Sequence, residues 1–256
     1  MAGSDVSIGV AGALGPEAIA RIAPVVERAG FGTLWVNDTP GGDSLAALGA
    51  ASRSTERLRL GTGVVPVDRR RPAEIVAGIR RAELPEDRLL VGIGSGQASH
   101  GVLSMMDDAV DELHEGSAAR VLVGALGPRM RELAARRADG ILLNWLTPEV
   151  AREQAEEAHA VSASARVVLY VRTALQPDAA DRLDEETARY ARAPKYSANF
   201  ERLGIQAADT VLDADTFAER IGAYREAVDE VVLRVIVADD AEDAYLRFVE
   251  AAAGLV

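Results

Sequence analysis

The chain has 256 residues, 48% of them hydrophobic, which is enough for one large α/β domain with an aliphatic core. It contains no cysteine, which excludes disulfides, thiolate metal sites and thiol nucleophiles, and its formal charge of -12 opposes sequence-independent binding to nucleic acid. No apolar run approaches the roughly 18 residues that cross a bilayer, and the N-terminal segment lacks a secretory signal, so we expect a cytoplasmic protein without a membrane partner.

Strand-like and helix-like segments alternate along the chain with the spacing of βα units. The predicted strands are 6–10, 32–36, 57–61, 88–92, 120–123, 140–143, 166–171 and 230–235. The predicted helices are 15–30, from about 43, from about 72, 97–114, 128–137, 148–161, 178–193 and 241–253, with an irregular helical insertion over 193–213.

The last two predicted strands are continuously apolar, as in VVLYV and EVVLRVIV, which favours parallel strands buried on both faces. Eight such strands predict a (β/α)8 TIM barrel, with residues 1–256 forming one domain. A doubly wound open sheet is the alternative that the spacing leaves open.

In an α/β barrel, chemistry gathers in the loops that follow the strands. After the second predicted strand, Asn37 and Asp38 place an amide and a carboxylate at a strand end. Asp38 is therefore a catalytic and cofactor-binding candidate. It is equally suited to starting a turn or capping a helix, and the residues alone leave both roles open.

Two glycine-rich turns follow the third and fourth predicted strands. Their candidate cofactor-binding residues are Thr62, Gly63, Val64, Gly94, Ser95 and Gln97. Glycine lets a backbone pass close to a planar ligand, and such a turn at a helix start can present amides to an anion. A lone Gly-x-Gly-x-Gly is a simple tight turn at least as often.

The turn after the fifth predicted strand combines several features of an anion site. Its residues are Ala125, Leu126, Gly127, Pro128, Arg129 and Met130. Pro128 opens the predicted helix, Gly127 permits close approach, and Arg129 adds positive charge in the first turn. We favour a phosphate site here over a merely solvated arginine.

Candidate substrate residues follow the sixth and seventh strands. They are Asn144 and Trp145 after the sixth strand and Arg172 at the end of the seventh. Trp145 suits stacking against a ring, although tryptophan is more often simply packed. The three histidines lie apart without metal-ligand spacing, so we expect no metal, and the absence of a Gly-x-Ser-x-Gly elbow disfavours a serine hydrolase.

Taken in order, several segments resemble the luciferase-like oxidoreductases that use coenzyme F420 or FMN. The segments are RAGFGTLWVND, LAALGAASRSTERLRLGTGVVPVDRRRPAEI, RLLVGIGSG, VLVGALGPRMRELAARRADGILLNWLTPE, VVLYVRTAL and YARAPKYSANFERLG. Each motif is weak alone, but their order and spacing cover most of the chain. The resemblance implies a luciferase-like TIM barrel.

It also implies a role for each candidate. Asp38 would lie beside the reactive ring, with Thr62, Gly63 and Val64 behind it and a cis peptide bond between Gly63 and Val64. The turn ending at Gln97 would border the ring. The turn that begins at Ala125 would take the cofactor phosphate, and the substrate side would be lined by Asn144, Trp145 and Arg172.

The sequence departs from relatives in two respects. Some deazaflavin-dependent relatives carry an acid at the position of Gln97 and a histidine at that of Thr39, and neither amide nor hydroxyl acts as a general acid or base at neutral pH. Residues 98–119 also look abbreviated. We therefore expect a compact barrel with a shortened wall after the fourth strand and an open pocket.

The leading hypothesis is hydride transfer between F420, or alternatively FMN, and a small organic substrate. F420 is favoured because the resemblance is to its subgroup and because the chain's arginine-rich, alanine-rich composition is typical of a high-GC genome. One alternative is a degenerate barrel that binds a flavin or no cofactor without turnover. Another is a phosphate-handling barrel enzyme such as an isomerase. The oligomeric state stays open, with a homodimer among the options.

Overall fold

Parallel strands close into a barrel in the computed structural model, which describes residues 5–39 and 41–256. The strands described are β1 (Asp5–Ala11), β2 (Thr33–Asn37), β3 (Arg59–Thr62), β4 (Val65–Pro66), β5 (Leu89–Gly94), β6 (Arg120–Gly124), β7 (Gly140–Asn144), β8 (Arg166–Thr173) and β9 (Glu230–Val235). The helices are α1 (Gly15–Arg28), α2 (Ser44–Ser52), α3 (Pro72–Arg81), α4 (Val102–Gly116), α5 (Pro128–Arg137), α6 (Pro148–Val161), α7 (Ala180–Arg192), α8 (Pro194–Leu203), α9 (Phe217–Ala227) and α10 (Glu242–Ala253).

The sheet runs in the order β3-β2-β1-β9-β8-β7-β6-β5-β4 and closes because β3 also pairs with β5. β3 and β4 are two parts of one barrel strand, and both pair with β5 in parallel. Eight strand positions therefore form a closed (β/α)8 barrel. The predicted TIM barrel is confirmed, and closure rules out the open sheet.

Two apolar layers follow from the alternation of side chains along each strand. One face packs against the helices, and the other fills the barrel with Trp35, Leu90, Leu122, Leu142, Val168, Tyr170 and Val232. The Trp35 indole donates to Glu230 over 2.7 Å, and Arg166 lies 2.8 Å from the same carboxylate. This fully buried acid is thus both hydrogen-bonded and ion-paired, as a buried charge requires.

Most helices begin where the sequence predicts. Pro72, Pro128 and Pro148 each open a helix, since proline lacks the amide hydrogen that a first helical turn leaves unpaired. The Asp43 side chain accepts from the Leu45 and Ala46 amides at the start of α2. α4 begins at Val102 rather than 97. The shortened wall predicted in this region stays a prediction.

The largest correction concerns residues 193–227. The sequence predicts an irregular helical insertion over 193–213 and no helix between it and the last strand, whereas the structure has α8 followed by α9. α9 packs against α6, so it covers the barrel as the seventh outer helix, and α7 and α8 lie over the carboxyl ends of the strands. The sequence contains a pattern that predicts α9, because Phe217, Ile221 and Tyr224 recur at helical spacing, and all three are buried.

No helix in the described part of the chain combines the length and apolar character that a membrane crossing needs.

Candidate active site at the barrel mouth

A ring of polar side chains faces inward where the strands end. Side chains alternate along a strand, so residues two positions beyond the interior core share its face. These are Asn37, Asn144, Arg172 and Arg234, which follow Trp35, Leu142, Tyr170 and Val232. Arg172 and Arg234 are direct neighbours in the β8–β9 register. The barrel mouth thus carries two amides and two guanidinium groups above an apolar filling.

The interruption between β3 and β4 forms a bulge at this mouth. The peptide bond between Gly63 and Val64 is cis, which confirms the expectation from the resemblance. The Asn37 amide donates to the Gly63 carbonyl. Glycines on β5 and β6 leave room for the Val64 side chain, because a Cβ built on Gly94 would lie 2.6 Å from its Cγ2. The Thr62 hydroxyl, fully buried, donates to the Gly92 carbonyl over 2.9 Å.

Tyr170 lies directly beneath the bulge. A Cβ built on Gly63 would lie 2.5 Å from Tyr170 Cζ and closer still to its Oη, so only glycine fits there. The ring is 6% exposed, and its hydroxyl has no hydrogen-bond partner among the described residues. Burial raises the pKa of Tyr170 well above its ordinary value although Arg234 and Arg172 oppose the shift. The hydroxyl therefore stays protonated at neutral pH. The predicted site does not include Tyr170.

Asp38 is held in an ion-pair cluster at the end of β2. Its side chain is only 4% exposed, and it pairs with Arg69 and, over 3.6 Å, with Arg70. The Ser44 hydroxyl donates to Oδ2 over 2.7 Å. The two arginines and Asp43 border an adjacent cleft of about 440 Å³. Both carboxylate oxygens of Asp38 thus have partners. Pro40 in the same predicted turn lies outside the described residues.

The turn after β5 differs from the expected anion-binding geometry. The backbone amide of Gln97 donates to Asp68 Oδ2 over 2.7 Å, so this amide is not open to an anion. The Gln97 side chain is exposed, and Ser95 is half-buried beside it. Lys195, on α8, donates to the Gly96 carbonyl over 3.0 Å. This turn therefore anchors the cap formed by α7 and α8.

The turn before α5 keeps the features of an anion site. The Ala125 amide is used, because it donates to the Leu142 carbonyl over 3.1 Å. The backbone bonds found in the described ranges include none from the amides of Leu126, Gly127, Arg129 or Met130. Pro128 stands at the first helical position. Four of the six predicted residues thus contribute open amides at the start of a helix.

Space and charge around this turn also suit an anion. Gly127 precedes α5 without a capping side chain, and a Cβ built there would meet nothing within 4 Å. Arg129 is exposed. Arg131 and Arg202 both donate to the Leu126 carbonyl over 3.2 Å, which brings two further guanidinium groups to the turn. Arg202 comes from α8 and is absent from the sequence prediction.

Trp145 and Arg172 lie under the α7–α8 cap rather than in the open. The Arg172 guanidinium lies 4.2 Å from the Trp145 ring centroid and 4.9 Å from that of Tyr190. Trp145 is 1% exposed, and Phe200 contacts it edge-on. The expected stacking of Trp145 on a ligand is therefore replaced here by stacking on Arg172.

The cap also supplies charge and hydroxyl groups to the mouth. Glu186 on α7 accepts from Arg172 Nε over 3.1 Å. Burial raises the pKa of Glu186, but the charges of Arg172 and Arg234 outweigh it and hold the pKa below the ordinary value. The Asn144 amide reaches the Tyr196 hydroxyl at 3.5 Å, while its carbonyl oxygen has no partner in the described ranges.

Comparison with known proteins agrees with this fold. Residues 3–115 match the family model of luciferase-like monooxygenases. Monooxygenase RslO1 from Streptomyces bottropensis is 18% identical with a TM-score of 0.73, covering 98% of each chain. The coenzyme F420-dependent tetrahydromethanopterin reductase from Methanopyrus kandleri is 17% identical with a TM-score of 0.71, covering 100% of this chain and 99% of that one.

A third structure is the oxygenating constituent of 3,6-diketocamphane monooxygenase from Pseudomonas putida in complex with FMN, 13% identical with a TM-score of 0.67. It covers 99% of this chain and 98% of that one. At these identities the likeness concerns the fold. The match over residues 3–115 agrees with the resemblance found in the sequence, and the whole chain has the fold of these three proteins.

Proposed function

We propose that this chain is an oxidoreductase that binds F420, or alternatively FMN, at the barrel mouth and transfers a hydride between it and a small organic substrate. The observation that carries the proposal is the turn before α5. Open amides, a glycine with free space above its Cα and nearby guanidinium groups occur there together. This combination suits a phosphate monoester or diester, which both cofactors carry.

The centre of the mouth fits a polar heterocycle. Unpartnered oxygens of Asn37, Asn144 and Tyr170 lie there, next to the apolar side chain of Val64. Buried polar groups normally have partners, so this concentration supports a ligand with hydrogen-bonding edges and a flat face. When bound, F420 or FMN supplies the hydride chemistry. The chain's own residues bind and orient the ring and exclude water.

Proton transfer depends on which group near the ring can titrate. Tyr170 holds its proton at Oη and acts as a hydrogen-bond donor, since burial keeps its pKa high. Thr39 and Gln97 have no titratable group near neutrality. Asp38 is the catalytic candidate predicted from the sequence, and its ion pairs with Arg69 and Arg70 hold the carboxylate at the edge of the site. From there it would orient the ring or take part in proton transfer.

The cofactor phosphate site is tested by Gly127→Val. The Cβ of a valine at this position would meet nothing within 4 Å, so the side chain would extend into the open space beside the amides of the turn. We expect F420 or FMN affinity to fall strongly while the melting temperature is preserved. Gly254→Val is the matched control, since that glycine is exposed at the end of α10. Unchanged cofactor affinity in folded Gly127→Val protein would remove this turn from the site.

The degenerate barrel remains the second candidate function. The observation that favours it is the pairing of both Asp38 oxygens, which leaves no free carboxylate at the predicted position. Fluorescence titration with F420, FMN and FAD separates the two candidates. Binding followed by turnover with any substrate supports the enzyme, and no change in fluorescence with any of the three cofactors supports the degenerate barrel.

A further inference from the structure

We infer that Arg172 and Arg234, on β8 and β9, form a subsite for an oxyanion of the substrate, a carboxylate or a phosphate, separated by β7 from the turn after β6. This inference deepens the proposed function and rests on it. The two arginines are register neighbours on adjacent parallel strands, both facing the barrel interior. Neighbouring strands lie about 4.8 Å apart, and the charges of both arginines lower the pKa of the same carboxylate, that of Glu186.

Some hydrogen-bond donors of the two arginines have no partner within the described ranges. Arg172 is 6% exposed, and its Nε donates to Glu186, but its Nη1 has no partner within the described ranges. The hydrogen bond found for Arg234 goes to the carbonyl of its own neighbour, Val235. A planar oxyanion could accept hydrogen bonds from both guanidinium groups.

The charge balance at the pair also favours an anion. Glu186 is the acid that contacts Arg172, and it lies 3.6 Å from Arg189 as well. Glu230, at the opposite end of β9, is already paired with Arg166. One carboxylate thus faces two guanidinium groups inside the mouth, and a buried positive charge without a counter-ion is costly. The excess is local, since the whole chain has a net charge of -12.

The pair is also held in place before a ligand arrives. The Arg172 guanidinium lies against the rings of Trp145 and Tyr190, which also contact each other, and Glu186 accepts a hydrogen bond from its Nε. A restrained guanidinium loses little conformational freedom on binding and can present a planar edge to a carboxylate. Substrates of this class are therefore small organic acids or phosphate esters, and neutral analogues should bind less well.

The experiment uses the full chain with benzoate, phenyl phosphate and the neutral isostere benzamide as probes. Binding is followed by calorimetry and by tryptophan emission, which comes from Trp35 and from Trp145, whose ring lies against Arg172. We expect benzoate or phenyl phosphate to bind at least about tenfold more tightly than benzamide, and Arg234→Gln to abolish that preference. The stronger of the two anions identifies the carboxylate or the phosphate. Arg247→Gln, an exposed arginine on α10, is the matched control.

Any of four results would overturn the subsite. Three of them are equal binding of benzamide and the anions, no binding of any probe, and an anion preference that survives in Arg234→Gln. A fourth is loss of F420 and FMN affinity in Arg234→Gln, which would assign the pair to the cofactor's own phosphate. Failure of the proposed function is a separate observation: wild-type protein would then bind the anions but none of the cofactors.

Discussion

Asp38→Asn tests the role of the most conspicuous predicted residue. The substitution keeps the size of the side chain but removes its charge. It leaves Arg69 and Arg70 facing a neutral amide at a site where the original carboxylate is 4% exposed. The amide can still accept from Ser44, so the perturbation is mainly electrostatic.

The size of the effect follows from the exposure of the partners. A hydrogen bond to a charged buried group contributes about 1.5–3 kcal/mol, whereas exposed ion pairs contribute about 0–1 kcal/mol. Arg69 is 40% exposed and Arg70 is 20% exposed, so solvent screens part of the interaction. We expect unfolding free energy to fall by about 1–2 kcal/mol. For a chain of this size, that lowers the melting temperature by about 2–8 °C.

Urea unfolding at neutral pH measures the change, and Asp108→Asn, an exposed acid on α4, controls for loss of charge. A double-mutant cycle with Arg69→Gln isolates the ion pair. Stability equal to wild type would refute the importance of the cluster. Once a substrate is known, a fall in kcat of about tenfold would support a role beside the ring, and wild-type turnover would remove Asp38 from the site.

Three further predictions follow from the mouth and its cap. Gly63→Ala should lower the free energy of unfolding by about 1–3 kcal/mol, because the new Cβ would overlap Tyr170. Gly222→Ala should raise it by about 0.5–1 kcal/mol, because a Cβ there meets nothing within 4 Å. Chemical denaturation measures both changes. Tyr170→Phe removes an unpartnered buried hydroxyl, so stability should hold or rise while cofactor affinity falls in fluorescence titration. The pKa of Glu186 lies below its ordinary value of 4.5, so ionised Glu186 should stabilise the folded protein fully above pH 4.5. This stabilisation should disappear as the pH falls through the pKa of the folded state. A difference in melting temperature between wild type and Glu186→Gln that does not depend on pH would contradict this.

The barrel could be predicted because its strands are short apolar runs separated by regular helical periodicity. The turn from Ala125 to Met130 could be predicted because proline, glycine and arginine mark a helix start locally. The partners of Asp38 could not, since Arg69 and Arg70 come from a loop about thirty residues later and meet it only when the barrel closes. The cap over Trp145 likewise depends on contacts across the whole mouth.

Arg234 was within reach of sequence reasoning. An arginine in the run EVVLRV, at a spacing of two from residues that fill the barrel, must point into the interior once the strand is assigned. Charged residues are rarely found inside a barrel, so this position makes Arg234 a candidate site residue.

The central claim is that the barrel mouth holds a deazaflavin or flavin. Equilibrium fluorescence titration of the wild-type chain with F420, FMN and FAD tests it most directly. We predict saturable binding of F420, or of FMN, that weakens strongly in Gly127→Val and persists in Gly254→Val. Absence of binding for all three compounds by folded wild-type protein would contradict it.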